Sequence, residues 1–312
     1  RCSFERIGPV NLVGRSLLAV TNRSTVRKLF AESTTGRRLS LRFVAGETLE
    51  EAAVATRTLN TAGAQVSLDH LGEHVADTDA AAEARDDYLE CLDRIRRDRL
   101  DANISVKLTQ LGLGLDDDLA VDSLNTLAAR ATEGGTTVTV DMEESELVDR
   151  TVSAYEAVQS EHGNLGIAVQ SYLYRTPADL DRIVVHGGHV RLCKGAYAEP
   201  SEVAHQDADR VDASFDALTR RLMATPGVAP AIATHDTERI ELAKRLGDGR
   251  TDPWEFQMLY GVRTSLQRSL VEGGYPLRVY VPYGTAWYPY LTRRIAERPA
   301  NLAFFLRAAV GR

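Results

Sequence analysis

Eight short apolar runs punctuate the chain, each followed by a turn or by a segment with helical spacing. They are Ala64–Asp69, Ala102–Leu108, Thr136–Met142, Gly166–Ser171, His189–Cys193, Pro230–His235, Trp254–Tyr260 and Leu277–Pro282. Their starts lie 23 to 41 residues apart, the repeat expected of successive strand–helix units with parallel strands and right-handed crossovers. Eight such units predict an α/β fold closed into a (βα)8 TIM barrel. An open doubly wound sheet is the competing arrangement, but no GxGxxG follows the first run.

The connecting segments read as amphipathic helices. Tyr88, Cys91, Leu92 and Ile95 fall at i, i+3, i+4 and i+7. Leu124, Leu127 and Ala128 repeat that spacing behind Asp116-Asp117-Asp118, an acidic start suited to a helix N-terminus. Ahead of the barrel, Leu12–Val20, Thr25–Phe30 and Thr48–Leu59 predict helices, with a linker at Gly36-Arg37-Arg38. The expected division is a helical arm over 1–60 and a catalytic barrel over 61–312.

In such a barrel the chemistry lies at the C-terminal ends of the strands. Those ends read Asp69-His70, Lys107, Asp141-Met142, Gln170, Arg191 with Lys194, Thr234-His235-Asp236, Gln257 with Tyr260, and Tyr280. Nearly every strand delivers a polar group, which a purely structural barrel would not need. The densest stretch is His189–Tyr197. Arg191 sits inside an apolar run, where a cation is costly unless something anionic or electron-rich meets it. Lys194-Gly195-Ala196 follows at the strand end, where glycine lets a backbone come close to a phosphate.

Each group also has a plainer role. Lys107 suits a solvated strand end or a Schiff-base lysine. Asp141 could cap the following helix, and Thr234-His235-Asp236 could be a cap with one satisfied histidine. His70, His74 and His235 lack HExxH or a tight pair, so no metal site is expected.

A second dense segment is VPYGTAWYPYLTRRIAERP, residues 281–299. Pro289 fits the first turn of a helix, from which Tyr290, Arg293, Arg294 and Glu297 share one face. Two adjacent arginines suit a solvated face or a carboxylate clamp, because guanidinium forks match carboxylates. Tyr280, Tyr283, Trp287 and Tyr288 would supply a partly wet apolar wall.

Composition narrows the classes. The chain has 312 residues, 44% apolar, with a net charge of −7, which is ample for one large core and argues against a nucleic-acid partner. No run reaches the ~20 apolar residues of a membrane span, and no secretory apolar region opens the chain. Cys2, Cys91 and Cys193 are widely spaced and form no CxxC, consistent with a reducing, cytoplasmic setting. Cys193 reads as a small core residue.

Seven segments in order resemble the proline dehydrogenase family: ISVKLTQLG (104–112), VTVDME (138–143), AVQSYLYRT (168–176), VRLCKGAY (190–197), ATHD (233–236), FQMLYGV (256–262) and YLTRRIAERP (290–299). The resemblance spans roughly 60–310 and, at this length, implies the single-activity form rather than the bifunctional one. The loop VPYGTAWYPYLT is slightly shorter than in the bifunctional relatives.

The resemblance implies a distorted (βα)8 barrel with FAD at the strand C-termini and the last helix over the mouth. It implies oxidation of L-proline to 1-pyrroline-5-carboxylate by hydride transfer from C5 to flavin N5. Electrons then pass to membrane quinone, through peripheral contact at the inner face of the membrane. Arg293, Arg294 and Lys107 would bind the proline carboxylate, with Tyr280 and Tyr290 walling the ring. Asp141 and Arg191 occupy catalytic positions, Arg191 lying against the flavin near N5. Met142, Gln170, Lys194, Gly195, Ala196, Thr234 and His235 would hold the cofactor, and Glu297 would tie the last helix into the site. The rival readings are a flavin barrel of the methylenetetrahydrofolate reductase type, a Schiff-base lyase using Lys107, and a non-enzymatic binding module.

Overall fold

A computed structural model describes the backbone of residues 41–296 and the side chains through Leu291. The expected helices at Leu12–Val20 and Thr25–Phe30, the Gly36–Arg38 linker and Cys2 lie outside the described residues. The first described helix, α1 (Leu49–Thr61), begins one residue after Thr48. Thr48 is its N-cap: its hydroxyl accepts from Glu51 N–H, while Glu51 Oε2 accepts from Thr48 N–H at 3.0 Å.

Eight strands and their helices then alternate. They are β1 (Gln65–His70), α2 (Thr78–Asp98), β2 (Ala102–Val106), α3 (Asp117–Gly134), β3 (Val138–Val140), α4 (Val148–His162), β4 (Leu165–Gln170), α5 (Thr176–Ile183) and β5 (Gly188–Cys193). There follow α6 (Ala208–Ala224), β6 (Val228–Ala233), α7 (Thr237–Gly247), β7 (Glu255–Leu259), α8 (Thr264–Glu272), β8 (Leu277–Tyr283) and α9 (Trp287–Ala296). All strand pairs are parallel, and β1 pairs with β8, so the sheet closes as a (βα)8 barrel.

The strand ends shift for local reasons. Expected through Leu108, β2 stops at Val106 because Lys107 and Leu108 carbonyls accept from Gln110 and Leu111 N–H, starting a turn. β3 shrinks to Val138–Val140, but Asp141 N–H still donates to Val106 O at 2.8 Å, which holds Asp141 at the mouth.

Helix packing follows the spacing read from sequence. Tyr88, Cys91, Leu92 and Ile95 of α2 are buried, as are Leu124, Leu127 and Ala128 of α3. Asp77 and Asp116 cap these helices through N–H groups three residues on. Burial pushes the Cys91 thiol up to about 12, which makes it an inert core residue.

The outward-facing strand residues are apolar: Val66 and Leu68, Ile104 and Val106, Val138 and Val140, Val190 and Leu192, Val279 and Val281. The alternate positions turn inward and are largely polar, notably Ser67, Asp69, Ser105, Thr139, Asp141, Arg191, Glu255, Gln257, Arg278 and Tyr280. Barrel interiors are normally filled by branched apolar side chains. Here hydrogen bonds run across the interior from β5 to β1, β2, β7 and Asp141 just beyond β3.

A second apolar cluster closes the C-terminal end. Phe43 and Val44 pack with Leu71, Val262, Trp287 and Leu291, seating α9 over the mouth. Pro289 lies in the first turn of α9, where a missing N–H costs nothing. Gly261 (φ +69°) makes this seating possible, because a Cβ there would lie 1.7 Å from the Arg42 carbonyl oxygen. Gly261→Ala is therefore expected to lower stability by more than the roughly 1–2 kcal/mol of a left-handed alanine. A thermal unfolding midpoint within 1 °C or so of the parent would contradict this packing account.

Candidate active site

The mouth holds an open cavity of about 230 Å³ at the C-terminal ends of the strands. Lys107, Asp141, Arg191 and Tyr280 line its polar side, together with Asp69 and Gln257. Met142, Gln170, Lys194, Gly195, Ala196, Thr234 and His235 line the flank formed by β3 to β6, and Tyr290 reaches in from α9. Arg293 and Arg294 fall on the second half of α9, where side chains lie outside the described residues, as does Glu297 altogether.

Arg191 is the most constrained of these groups. Its Nε donates to Gln257 Oε1 at 2.5 Å, Nη1 to Ser105 Oγ at 2.9 Å and to Asp141 Oδ1, and Nη2 to Ser67 Oγ at 3.3 Å. Its guanidinium also lies 5.2 Å from the Tyr280 ring centroid. Burial alone would lower its pKa, but the adjacent Asp141 charge outweighs this, so the cation is retained.

Asp141 collects donors from three strands and from Lys107 just beyond β2. Oδ1 accepts from Ser105 Oγ at 2.7 Å and from Arg191; Oδ2 accepts from the Tyr280 hydroxyl at 2.7 Å and faces Lys107 Nζ at 3.7 Å. A simple helix-cap role for Asp141 is excluded by these partners. Lys107 donates to Asp69 Oδ1 at 2.8 Å. Burial would lower its pKa, yet Asp69 and Asp141 together hold it above the usual lysine range. Burial also pushes the Asp69 carboxyl up, opposed by the Lys107 charge. A lysine kept charged this way is unsuited to Schiff-base attack, which needs the neutral amine.

The other flank is shaped by backbone. Gly195 has φ +140°, and a Cβ there would sit 2.4 Å from the Tyr172 ring, so only glycine brings this loop so close. The Gln170 amide spans the loop, donating to Glu143 O at 2.9 Å and accepting from Ala196 N–H at 3.1 Å. An amide has two N–H donors and two lone pairs, so one of each remains for a ligand.

Lys194 reaches back to Asp212 and to Asp236 (3.3 Å), and Arg239 joins the same carboxylates. Its charge is thus shared with a protein cluster rather than reserved for a phosphate. Thr234 Oγ1 accepts from Asp236 N–H at 3.0 Å, and Asp236 in turn caps α7. His235 Nε2 accepts from Leu259 N–H at 3.0 Å, so its proton is on Nδ1. Cys193, expected in the core, instead lines the cavity beside Arg191.

The three histidines weighed for metal have separate partners. His70 stacks on Tyr283 at 5.1 Å, His74 pairs with Glu144 at 3.3 Å, and His235 holds β7. His74 does gather with Glu143 and Glu144, a grouping that no sequence motif announces.

Ser67, Ser105, Glu255 and Arg278 were not legible as site residues. They lie two positions before Asp69, Lys107, Gln257 and Tyr280, so the inward period of two could have found them. Glu255 Oε1 accepts from Gln257 Nε2 at 2.6 Å, Arg278 Nε at 2.9 Å and His189 Nε2 at 3.0 Å. Burial would raise the Glu255 carboxyl, but these donors hold it well below the usual carboxylate range.

A cavity at the strand C-termini is where barrel enzymes hold their active sites, and here buried cations locked against carboxylates stand beside an apolar flank. The spare Gln170 donor and acceptor and the buried guanidinium leave polar groups at this flank that a bound cofactor could meet.

The sequence profile of the proline dehydrogenase family matches residues 52–307. Proline dehydrogenase 1 of Bacillus subtilis (strain 168) is 38% identical over 293 residues, 93% of this chain and 96% of that protein. The proline dehydrogenase of Deinococcus radiodurans is 36% identical over 305 residues, 95% and 97% of the two chains. Among solved structures, proline utilization A (PutA) from Bdellovibrio bacteriovorus, inactivated by N-propargylglycine, superposes with a TM-score of 0.78 at 22% identity. That match covers 83% of this chain but only 32% of the PutA chain, and at this identity it shows a shared fold. The chain belongs to the proline dehydrogenase family.

The depressed Glu255 carboxyl gives a pH signature. Its folded pKa lies below the unfolded value of about 4.3, so its stabilisation is complete above about pH 5 and is lost as pH falls further. Glu255→Gln should cost about 3–5 kcal/mol near neutrality, leaving Arg278 and His189 without their carboxylate. The gap to the parent should narrow below about pH 4, by up to ~1.4 kcal/mol per pH unit. Denaturant titrations giving the same gap at neutral and acid pH would refute the assignment.

Proposed function

We propose that this chain oxidises L-proline to 1-pyrroline-5-carboxylate, with FAD held at the barrel mouth and the electrons passed on to a membrane quinone. The observation that carries the reading is the convergence of Lys107, Asp141, Arg191, Tyr280 and Tyr290 on one cavity in a member of this family. FAD, when bound, supplies the acceptor for the hydride leaving proline C5.

The residues divide the remaining work. Lys107, kept charged by Asp69 and Asp141, would take the proline carboxylate together with Arg293 and Arg294 of α9. Fixing the carboxylate fixes the ring, which Tyr280 and Tyr290 would wall, so that C5 is presented in one orientation. The same cations disfavour a protonated ring nitrogen, raising the fraction of neutral amine whose lone pair assists hydride departure. Asp141 holds both the Tyr280 hydroxyl and Arg191, coupling the substrate wall to the buried cation.

Arg191 would stabilise negative charge gained by the flavin. Gln170 and Met142 would contact its ring system. Lys194-Gly195-Ala196, Thr234 and His235 would follow the tail, with Lys194 acting as one member of its carboxylate cluster. Glu297 would tie α9 to the cofactor. No helix among the described residues is long and apolar enough to cross a membrane. Quinone would be met through peripheral contact at the inner face of the membrane.

The purified protein should carry a flavin spectrum that bleaches anaerobically with L-proline and not with NADH. Bleaching by NADH alone would favour the methylenetetrahydrofolate reductase type. Arg294→Met should raise KM for proline with FAD retained, whereas Arg191→Met should lower kcat or shift the flavin potential. An unchanged KM in the first variant would remove the clamp from the reading.

A further inference from the structure

We infer that Glu255 and Gln257, successive inward residues of β7, form a polarity relay that fixes Arg191 without adding a second counter-charge to it, leaving its positive charge available to the cofactor. The inference rests on the flavin reading above. It concerns two residues that line or underlie the cavity and are otherwise left without a role.

A glutamine amide has no intrinsic preference for which end faces a neighbour. Here both neighbours decide it. Glu255 below is acceptor-only as a carboxylate, so Gln257 turns Nε2 toward it, at 2.6 Å. Gln257 Oε1 is therefore aimed at Arg191 Nε, a donor, at 2.5 Å. Glu255 is itself locked from the far side by Arg278 and His189. The chain of contacts runs Arg278, Glu255, Gln257, Arg191, Asp141, from the lower barrel to the mouth.

The chemistry at position 257 is restrictive. Gln257 supplies Arg191 with an acceptor while adding no charge, so Asp141 is the sole carboxylate bonded to the guanidinium among the described residues. A glutamate there would set a second carboxylate against Arg191 and would also repel Glu255. A leucine would leave Arg191 Nε and Glu255 each short of a partner. Glu255 does not line the cavity, so it acts through Gln257 and is a positioning residue.

The test uses the holoenzyme and compares Gln257→Leu, Gln257→Glu and Arg278→Met. Gln257→Leu should lower kcat about tenfold or more, the scale of one lost hydrogen bond to a charged group, with KM for proline changed less than about twofold. Gln257→Glu should lower the midpoint potential of the bound flavin, because it reduces the net positive charge beside it. Arg278→Met weakens the same buried network from below without touching Gln257. It also removes one unit of positive charge, but one layer farther from the mouth and already paired with Glu255, so it should lose thermal stability and lower the potential by less than half as much as Gln257→Glu.

Equal potential shifts in Arg278→Met and Gln257→Glu would reduce the relay to general packing and overturn it. So would a parent-like potential and kcat in Gln257→Glu. If the parent itself carried no proline-reducible flavin, the functional reading would fall first. A parent that bleaches with proline, beside a silent Gln257→Glu, would sink the relay alone.

Discussion

A guanidinium buried inside the barrel is the constraint around which the rest of this structure is arranged. Arg191 cannot sit in a closed, low-dielectric interior without acceptors on every side, since an unpaired buried ion costs several kcal/mol. Its donors are met by Ser67 on β1, Ser105 on β2, Asp141 beyond β3 and Gln257 on β7. Four separate strands must therefore close at the right register before the cation is satisfied. The barrel's polar interior is a consequence of that requirement, and its outward face supplies the apolar packing that an ordinary barrel would also place inside.

Buried charges are paired at two levels along the barrel axis. At the lower end, Glu255 is surrounded by His189, Arg278 and Gln257 and is fixed as an anion. Toward the mouth two cations meet two carboxylates: Lys107 lies beside Asp69 and Asp141, and Arg191 beside Asp141. Tyr280 joins the two regions, its hydroxyl on Asp141 and its ring beside Arg191. Such preorganised groups need little reorganisation when charge develops in a bound ligand, which is the main electrostatic resource of an enzyme site. The α9 cap, seated on Phe43, Val44 and Val262, closes this polar mouth with an apolar layer.

Much of the fold could be read from the chain. Eight runs 23 to 41 residues apart pointed to a closed parallel barrel rather than an open sheet, because parallel strands need crossover helices and the count matched closure. Strand-end reading found Lys107, Asp141, Gln170, Arg191 and Tyr280, since barrel chemistry gathers at those ends. It passed over Ser67, Ser105, Glu255 and Arg278, one layer down. A strand sequence shows which residues share a face but not whose side chain lies across the lumen. Lys194 illustrates the same gap: its position after β5 suggested a phosphate, while Asp212 on α6 and Asp236 before α7 take up its charge.

The sequence by itself determined the number and order of the strand–helix units, the apolar helix faces, the polar strand ends and the family motifs. These are set by periodicity and local capping, which act within a few residues. Tertiary structure alone decided the partners: which acceptors neutralise Arg191, which end of the Gln257 amide faces it, which tautomer His235 adopts against Leu259, and why Gly261 must lack a side chain beneath Arg42. Each of these depends on hydrogen-bond directions and contacts between segments far apart in the chain. Only closure of the barrel brings those segments within bonding distance.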